Sequence, residues 1–461
     1  MNIIDKKIVV LGAGISGLAS AYWLKKKGFD VTIIESQSQP GGAMQTIFEN
    51  DFLIDYGPNS GLETTPLIRE IVEDIGFKNE MIYANEKANK RFILKNNKLY
   101  PLPTGPGPFL KTKLFSPKAK LRLMAEPFIG KSDDGYYQSI ADFVSRRLGK
   151  EFLDYAIDPF VSGVFAGDPT KLSVKSAFPK LYRLEELYGG LIKGMIKGAK
   201  ERKRRNEESK QGAKMFSFKN GMQSFPAAIA NKFSGSIHLD TRVINVIKEN
   251  NSIKLIHEKN RTQSETICDV LLSTIPASTA SKIFSEIDSK LTEHLDSIFY
   301  PPVIVLYLGY LKKDIPRPLD GFGYLIPTVE KKNFLGAIWS STIFENRAPN
   351  NSASFTLFVG GAKKPNLFEM EKEDIISTAI KEFSEIMGIN SKPIIVKEKS
   401  WEKAIPQYNI GYIKHENYFE KFEKENSGIF LSGNYRGGIS VGDCIKNSQI
   451  NFEKVKNYFD N

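Results

Sequence analysis

The sequence is poor in the residues that build metal centres and covalent staples. It holds two cysteines and four histidines in 461 residues. Cys268 and Cys444 stand far apart with no CxxC pair, so neither a zinc ribbon nor a disulfide framework is expected. His238, His257, His294 and His415 show no metal-ligand spacing. All four read as ordinary surface or core residues, and no metal site is expected. Long hydrophobic runs are also missing. The longest, Val303 to Leu311, falls far short of the ~20 residues a membrane span needs. The first strand signal comes at Ile8, so no leader peptide is expected. Nucleic-acid motifs are missing too, although the net charge is +11. That excess suits an anionic membrane surface or an acidic substrate. The chain is expected in the cytoplasm, at most peripheral on the inner face of the cytoplasmic membrane, with no nucleic-acid partner.

What is present is organised around residues 6–42. Ile8 to Leu11 is a short apolar run ending in Gly12-Ala13-Gly14-Ile15-Ser16-Gly17. Ile15, Leu18, Ala19, Tyr22 and Trp23 then recur at helical spacing, and Gly28 closes the helix. Val31 to Ile34 is a second strand with Glu35 at its end. Strand, GxGxxG, helix, strand and acid together form the dinucleotide-binding fingerprint. Gly12 allows the tight turn, Gly14 lets a pyrophosphate approach the backbone, and Gly17 lets helix and strand pack closely. The helix N-terminus turns its free N–H groups toward the phosphates. Glu35 accepts from ribose hydroxyls.

A second glycine-rich stretch closes the chain, from Phe430 through Gly433-Asn434, Gly437-Gly438 and Ile439-Ser440-Val441 to Cys444. An N-terminal fingerprint answered by a C-terminal glycine-rich strand-to-helix turn suits FAD, whose isoalloxazine needs a second anchor. A helix beginning near Val441 points its positive end at the flavin.

The stretch between these anchors changes character. Pro101 to Pro108 marks a boundary. From about 110 to 200 the pattern turns helical and basic, with Leu110, Leu114, Leu121, Leu123, Met124 and Phe128 set among lysines. Ile140, Phe143, Val144 and Leu148 form another helix face, with Arg146 and Arg147 opposite. Such an insertion either packs on a core of its own or rests on anionic lipid. The run 200–211 reads as a solvated loop. Residues 238–247 read as a strand, Cys268–Pro276 as a buried parallel-type strand followed by a turn, and Val303–Tyr310, Gly323–Ile326, Leu335–Trp339, Phe355–Val359 and Ile394–Lys399 as further strands. A helix is expected over Pro66–Ile75, with Thr64 or Thr65 as cap, and another over Glu373–Met387.

The segment Asp158-Pro-Phe-Val-Ser-Gly163-Val-Phe-Ala-Gly167-Asp168-Pro-Thr-Lys-Leu-Ser173 resembles the protoporphyrinogen oxidases, FAD enzymes of late haem synthesis among the amine-oxidase-like flavoproteins. The resemblance runs nearly end to end. It includes Gly57-Pro-Asn-Ser60, Phe218 to Met222, Tyr300-Pro-Pro302, Gly321-Phe-Gly323, Phe344 to Pro349 and the closing turn. It implies an α/β (α+β) architecture: a Rossmann-like FAD-binding domain, an inserted mixed-sheet substrate domain and a helical membrane-associating subdomain. The expected bounds are 1–90, 215–275 and 395–461 for the first, 91–108 and 276–394 for the second, and 109–214 for the third. It implies oxidation of protoporphyrinogen IX to protoporphyrin IX, six electrons passing in three steps through FAD to O₂, which leaves as hydrogen peroxide. A ferrochelatase is the implied protein partner.

The alternative within the family is coproporphyrinogen III, which carries four propionates. Arg91, in Lys90-Arg91-Phe-Ile-Leu, matches the protoporphyrinogen pattern. Carried over by motif, Arg91 holds a propionate, and Leu325 and Phe344 face the macrocycle. Arg91 also reads as a surface salt bridge, and Leu325 and Phe344 as plain core. Backbone near Gly163 and Gly167 faces the pyrrole N–H groups. The FAD positions carried over are Gly12 to Gly17, Glu35, Gly42, Ala43, Gly57, Pro58, Asn59, Ser60, Val243, Asn434, Ile439, Ser440 and Val441. No catalytic side chain is expected, since the flavin N5 does the chemistry. Two positions depart from the superfamily pattern. Ser36 follows the acid where arginine is common, and Ala43 follows the glycine pair where Arg, Lys or Trp is common.

Overall fold

The computed structural model describes residues 6–205, 213–250 and 252–460. A five-stranded parallel sheet runs in the order Ile237–His238, Asp30–Ile34, Lys7–Leu11, Val270–Ser273, Ile429–Leu431. Its residues alternate between two buried layers. Ile8 and Val10 pack with the Ile15–Lys26 helix and the C-terminal Val441–Asp460 helix, while Val9 and Leu11 pack on the opposite side. A parallel sheet needs both faces covered, which is why its strands read as continuous apolar runs.

The second large sheet has seven strands in the order Ile395–Trp401, Val303–Leu311, Ser352–Gly360, Phe334–Ile338, Gly321–Leu325, Lys90–Lys95, Lys98–Pro101. It is mixed, because Gly321–Leu325 pairs parallel with Lys90–Lys95. One face packs on the Lys372–Met387 helix. The other meets the hairpin Thr46–Glu49 and Phe52–Asp55, whose Phe52 and Ile54 join Val305 and Tyr307. Asn50 and Asp51 both take positive φ at the hairpin tip, as a tight turn requires. The Pro66–Asp74 helix begins with Pro66 at its first position, and Thr65 Oγ1 accepts from Leu67 N at 3.4 Å.

Five expectations are corrected. Residues 238–247 form two strands rather than one. His238 ends the parallel sheet, Asp240 takes φ of 55°, and Arg242–Glu249 begins a separate antiparallel meander with Ser252–Lys259 and Thr262–Cys268. Strand Ile395–Trp401 pairs with Val303–Leu311, so it belongs to the mixed sheet and not with the cofactor fold. Helices Ala277–Ile283 and Ser289–Asp296, expected in the substrate domain, bury Ala280 and Leu291 beside Phe419, Phe422 and Ile429. In the run 200–211, residues 200–205 continue the Leu191–Arg205 helix, and 206–211 lie outside the described residues.

The fifth correction is Arg147, expected to face solvent. It is 0% exposed. Its guanidinium binds Glu126 at 2.7 Å and also Glu185, and donates to the Gly189 carbonyl at 3.0 Å. Glu126 in turn accepts from Leu191 N and Ile192 N, satisfying the start of the next helix. Periodicity alone sends such a charge outward; paired carboxylates on neighbouring elements bring it in.

Candidate functional site

The first turn is built as its sequence demands. Gly12 adopts φ of +96°, and a methyl on Gly17 would overlap the Gly12 carbonyl oxygen. Gly14 caps the Ile15–Lys26 helix with no side chain bonded to the cap and no acid in the first turn. Nothing stands within 4 Å of where a Gly14 side chain would be. The N–H groups therefore face open space with a positive dipole end, as a pyrophosphate requires. Glu35 is buried at the foot of this turn. Its Oε2 accepts from Ala13 N at 2.7 Å and its Oε1 from Gln37 N at 2.8 Å. The carboxylate is thus aimed before any ribose arrives.

Other expected cofactor residues gather at the same place. Gly41 N donates to the Ala13 carbonyl at 2.9 Å, and a Cβ on Gly42 would stand 3.2 Å from Gly14 Cα. Ala43 presses on Gly57, where a methyl would overlap the Ala43 carbonyl. Thr241 N donates to the Glu35 carbonyl, bringing Val243 and its bulge alongside.

The C-terminal turn arrives from the far side of the sheet. Ser440 Oγ accepts from Asp443 N at 3.1 Å just before the Val441–Asp460 helix. Asn434 O accepts from Tyr408 Oη at 2.7 Å, and that hydroxyl accepts from Gly438 N at 3.0 Å. Cys444 hydrogen-bonds Ser16, and burial pushes its thiol up to about 11, so it is inert at neutral pH. Trp23 Nε1 donates to Ser448 Oγ at 2.9 Å, locking the first and last helices side by side. The two glycine turns thus share one end of one sheet.

The expected substrate residues lie on the mixed sheet and the helical segment. Arg91 is exposed, registered beside Gly323, with its guanidinium 5.6 Å from the Phe322 ring centroid. Phe322, Phe344, Asn59 and Ser60 line one narrow cavity. Leu325 touches Gly163 so closely that a methyl there would strike Leu325 Cδ2. Gly167 lies against Gln407, whose Nε2 donates to the Phe165 carbonyl at 2.8 Å. Arg91 therefore joins the cavity only through Phe322, and Leu325 with Gly163 forms a second contact. Arg91 makes no ion pair among the described residues, against the surface salt-bridge reading.

Comparison with known proteins fits this geometry. The model of the family described as flavin containing amine oxidoreductase matches residues 15–449. Protoporphyrinogen oxidase 2, chloroplastic/mitochondrial, of Arabidopsis thaliana is 32% identical over 95% of this chain and 92% of its own. Coproporphyrinogen III oxidase of Bacillus subtilis is 25% identical over 95% of this chain and 96% of its own. A crystal structure from Exiguobacterium sp. 255-15 shares the fold, with a TM-score of 0.81 at 20% identity over 98% of this chain and 99% of that one. The chain belongs to the flavin-containing amine oxidoreductase family, on its protoporphyrinogen oxidase branch.

This flavoprotein is an oxidoreductase whose cofactor is FAD. The open space over Gly14, the uncapped helix start and the preset Glu35 fit that cofactor. Motif reading missed one feature of the site. Arg347 lies inside the quoted Phe344–Pro349 motif and is buried beside the cavity. Its Nη2 donates to Ser217 Oγ at 2.7 Å and to the Phe218 carbonyl at 3.0 Å, and its guanidinium stands 5.5 Å from the Phe344 ring centroid. Asp55 Oδ2 lies 3.9 Å from Arg347 Nε. Burial raises the Asp55 carboxyl from its ordinary value, and Arg347 offsets part of that rise. Its sequence neighbours gave the signal; the buried carboxylate, far away in sequence, gave none.

Proposed function

We propose that this enzyme oxidises protoporphyrinogen IX to protoporphyrin IX. Six electrons and six protons leave the macrocycle, and three O₂ become three H₂O₂. The observation that carries this reading is the near full-length similarity to proteins named protoporphyrinogen oxidase. The same mechanism on coproporphyrinogen III is the second reading, favoured by the similarity to proteins named for that substrate.

Bound FAD supplies the hydride acceptor. The chain's own residues bind and orient. In this reading Gly12 to Gly17, Glu35, Gly42, Ala43, Gly57 to Ser60, Val243, Asn434 and Ile439 to Val441 hold the cofactor. Arg91 grips a propionate bidentately. Phe344 and Leu325 flank the flat macrocycle, and the Gly163–Gly167 backbone faces its N–H groups. No nucleophile–base pair is called for, because meso C–H bonds between pyrroles are already activated.

The enzyme works at an anionic membrane surface of the cytoplasm. No helix among the described residues is long and apolar enough to cross a membrane. The helical segment nevertheless turns Leu110, Leu121, Met124, Phe128 and Ile196 outward, with Phe128 89% exposed, among many lysines. Apolar tips ringed by cations are what an interfacial contact needs.

The test offers purified yellow protein each porphyrinogen separately in air, following porphyrin fluorescence and peroxide. Faster turnover of protoporphyrinogen IX is expected. Faster turnover of coproporphyrinogen III would select the second reading, and turnover of neither would reject both. Flotation with anionic vesicles, weakened by Phe128→Asp and by salt, is the expected membrane result; no flotation rejects that part.

A further inference from the structure

One side-chain cluster lies in a cleft that none of the expected cofactor or substrate residues lines. His294, on the Ser289–Asp296 helix, and His415, on the Ile413–Glu425 helix, share a cleft of about 540 Å³. Their Nδ1 atoms face each other at 2.9 Å. The rings are held from behind. Tyr418 stacks on His294 with centroids 4.4 Å apart, and its hydroxyl is tied to Asp288 at 2.9 Å. Tyr412 packs edgewise on His415, and its hydroxyl donates to the Tyr435 carbonyl at 2.6 Å. Neither imidazole has an ion pair among the described residues. Glu293 and Lys414 also line the cleft, with the Lys414 ammonium over the Tyr137 ring at 5.7 Å.

In the protein alone, the contact is an N–H···N hydrogen bond in which one ring donates. The separation also matches a chelate. Two nitrogens each ~2.0–2.1 Å from one ion lie about 2.9 Å apart when they subtend a right angle, and about 3.4 Å apart at a tetrahedral angle. Right-angle nitrogen ligation is the habit of tetragonal Cu(II) and Ni(II). We propose that His294 and His415 form an open two-histidine site for a divalent transition-metal ion, Cu(II) or Ni(II) in preference to Zn(II). On binding, the donating ring moves its proton from Nδ1 to Nε2, so both Nδ1 lone pairs reach the ion and no proton is released. No cluster of three or more His, Cys, Asp or Glu able to hold a metal occurs among the described residues. The remaining coordination positions therefore take water or a small exogenous ligand. The site uses no residue assigned to the flavin or the porphyrinogen, so it stands or falls independently of that reading.

The experiment treats the flavin-loaded enzyme with chelator, removes it, and titrates with Ni(II) by calorimetry and Cu(II) by electron paramagnetic resonance. One ion per chain is expected, with coupling to two nitrogens in the copper spectrum. His294→Gln and His415→Gln should each weaken Ni(II) binding roughly tenfold or more, and His238→Gln should not. Coupling to a single nitrogen, binding unchanged in both variants, or no binding overturns the site. The nitrogen count is read on the unsubstituted protein, so a variant that fails to fold does not protect the proposal.

Discussion

Among the described residues two arginines are buried, and they are buried differently. Arg147, in the helical segment, is closed in by Glu126, Glu185 and three carbonyls, with every donor direction filled. Arg347, beside the cavity, faces one carboxylate at 3.9 Å, one hydroxyl, two carbonyls and the face of Phe344. The first is a clamp that gathers three stretches of chain. The second carries a less tightly matched charge next to a space shaped for a ligand. A fully matched buried charge builds structure, while a loosely matched one is available to a site.

The largest effect should come from opening the clamp. Arg147→Met leaves the buried Glu126 without its cation and Glu185 with Arg146 alone as counter-charge, and about 3–5 kcal/mol of stability is expected to go, read as a lower denaturant midpoint. An equal loss from Arg347→Met would break the comparison. Arg91 is exposed and stacked on Phe322, so Arg91→Ala should leave the midpoint alone and lower kcat/KM for the porphyrinogen by about 1.5–3 kcal/mol. An unchanged KM would remove Arg91 from the site.

Arg347→Met should cost about 1–3 kcal/mol at neutral pH, by leaving the buried Asp55 without its counter-charge. The sign with pH follows from the raised Asp55 carboxyl: its folded form holds a proton more readily than the unfolded chain. The loss should therefore shrink as pH falls toward the ordinary aspartate value of about 4. A loss that grows on acidification would contradict the pairing. Last, Gly163→Ala drives a methyl into Leu325 and should cost about 1–3 kcal/mol, partly recovered by Leu325→Val in a double-mutant cycle. Full additivity would mean the two do not touch.

The same contrast separates what the sequence discloses from what it hides. The Gly12–Gly17 turn and Glu35 were legible because every group they need lies within one strand–helix–strand unit. The cap of the Pro66–Asp74 helix was narrowed to Thr64 or Thr65 for the same reason. Arg147 was not, since its carboxylates come from 21 and 38 residues away on other elements. The strand over 238–247 broke at Asp240, where a left-handed residue switches sheets without a glycine to announce it. Arg347 was visible as part of a motif, but its meeting with Asp55 was not. His294 and His415 lie 121 positions apart, and no spacing rule reaches that far.

The parallel sheet also fixes when the protein can become itself during synthesis. Its five strands are drawn from residues 7–11, 30–34, 237–238, 270–273 and 429–431. The first half of the cofactor cradle leaves the ribosome well before the edge strand 429–431 and the 441–460 helix beside it. Until then Trp23 has no Ser448 to meet, and the apolar rows around Val10 and Leu271 stay partly uncovered. Contacts of such long range form slowly and leave sticky intermediates waiting. Removing the Val441–Asp460 helix would uncover the rows around Ile8 and Val10, and so undo packing that begins with the strand at residue 7.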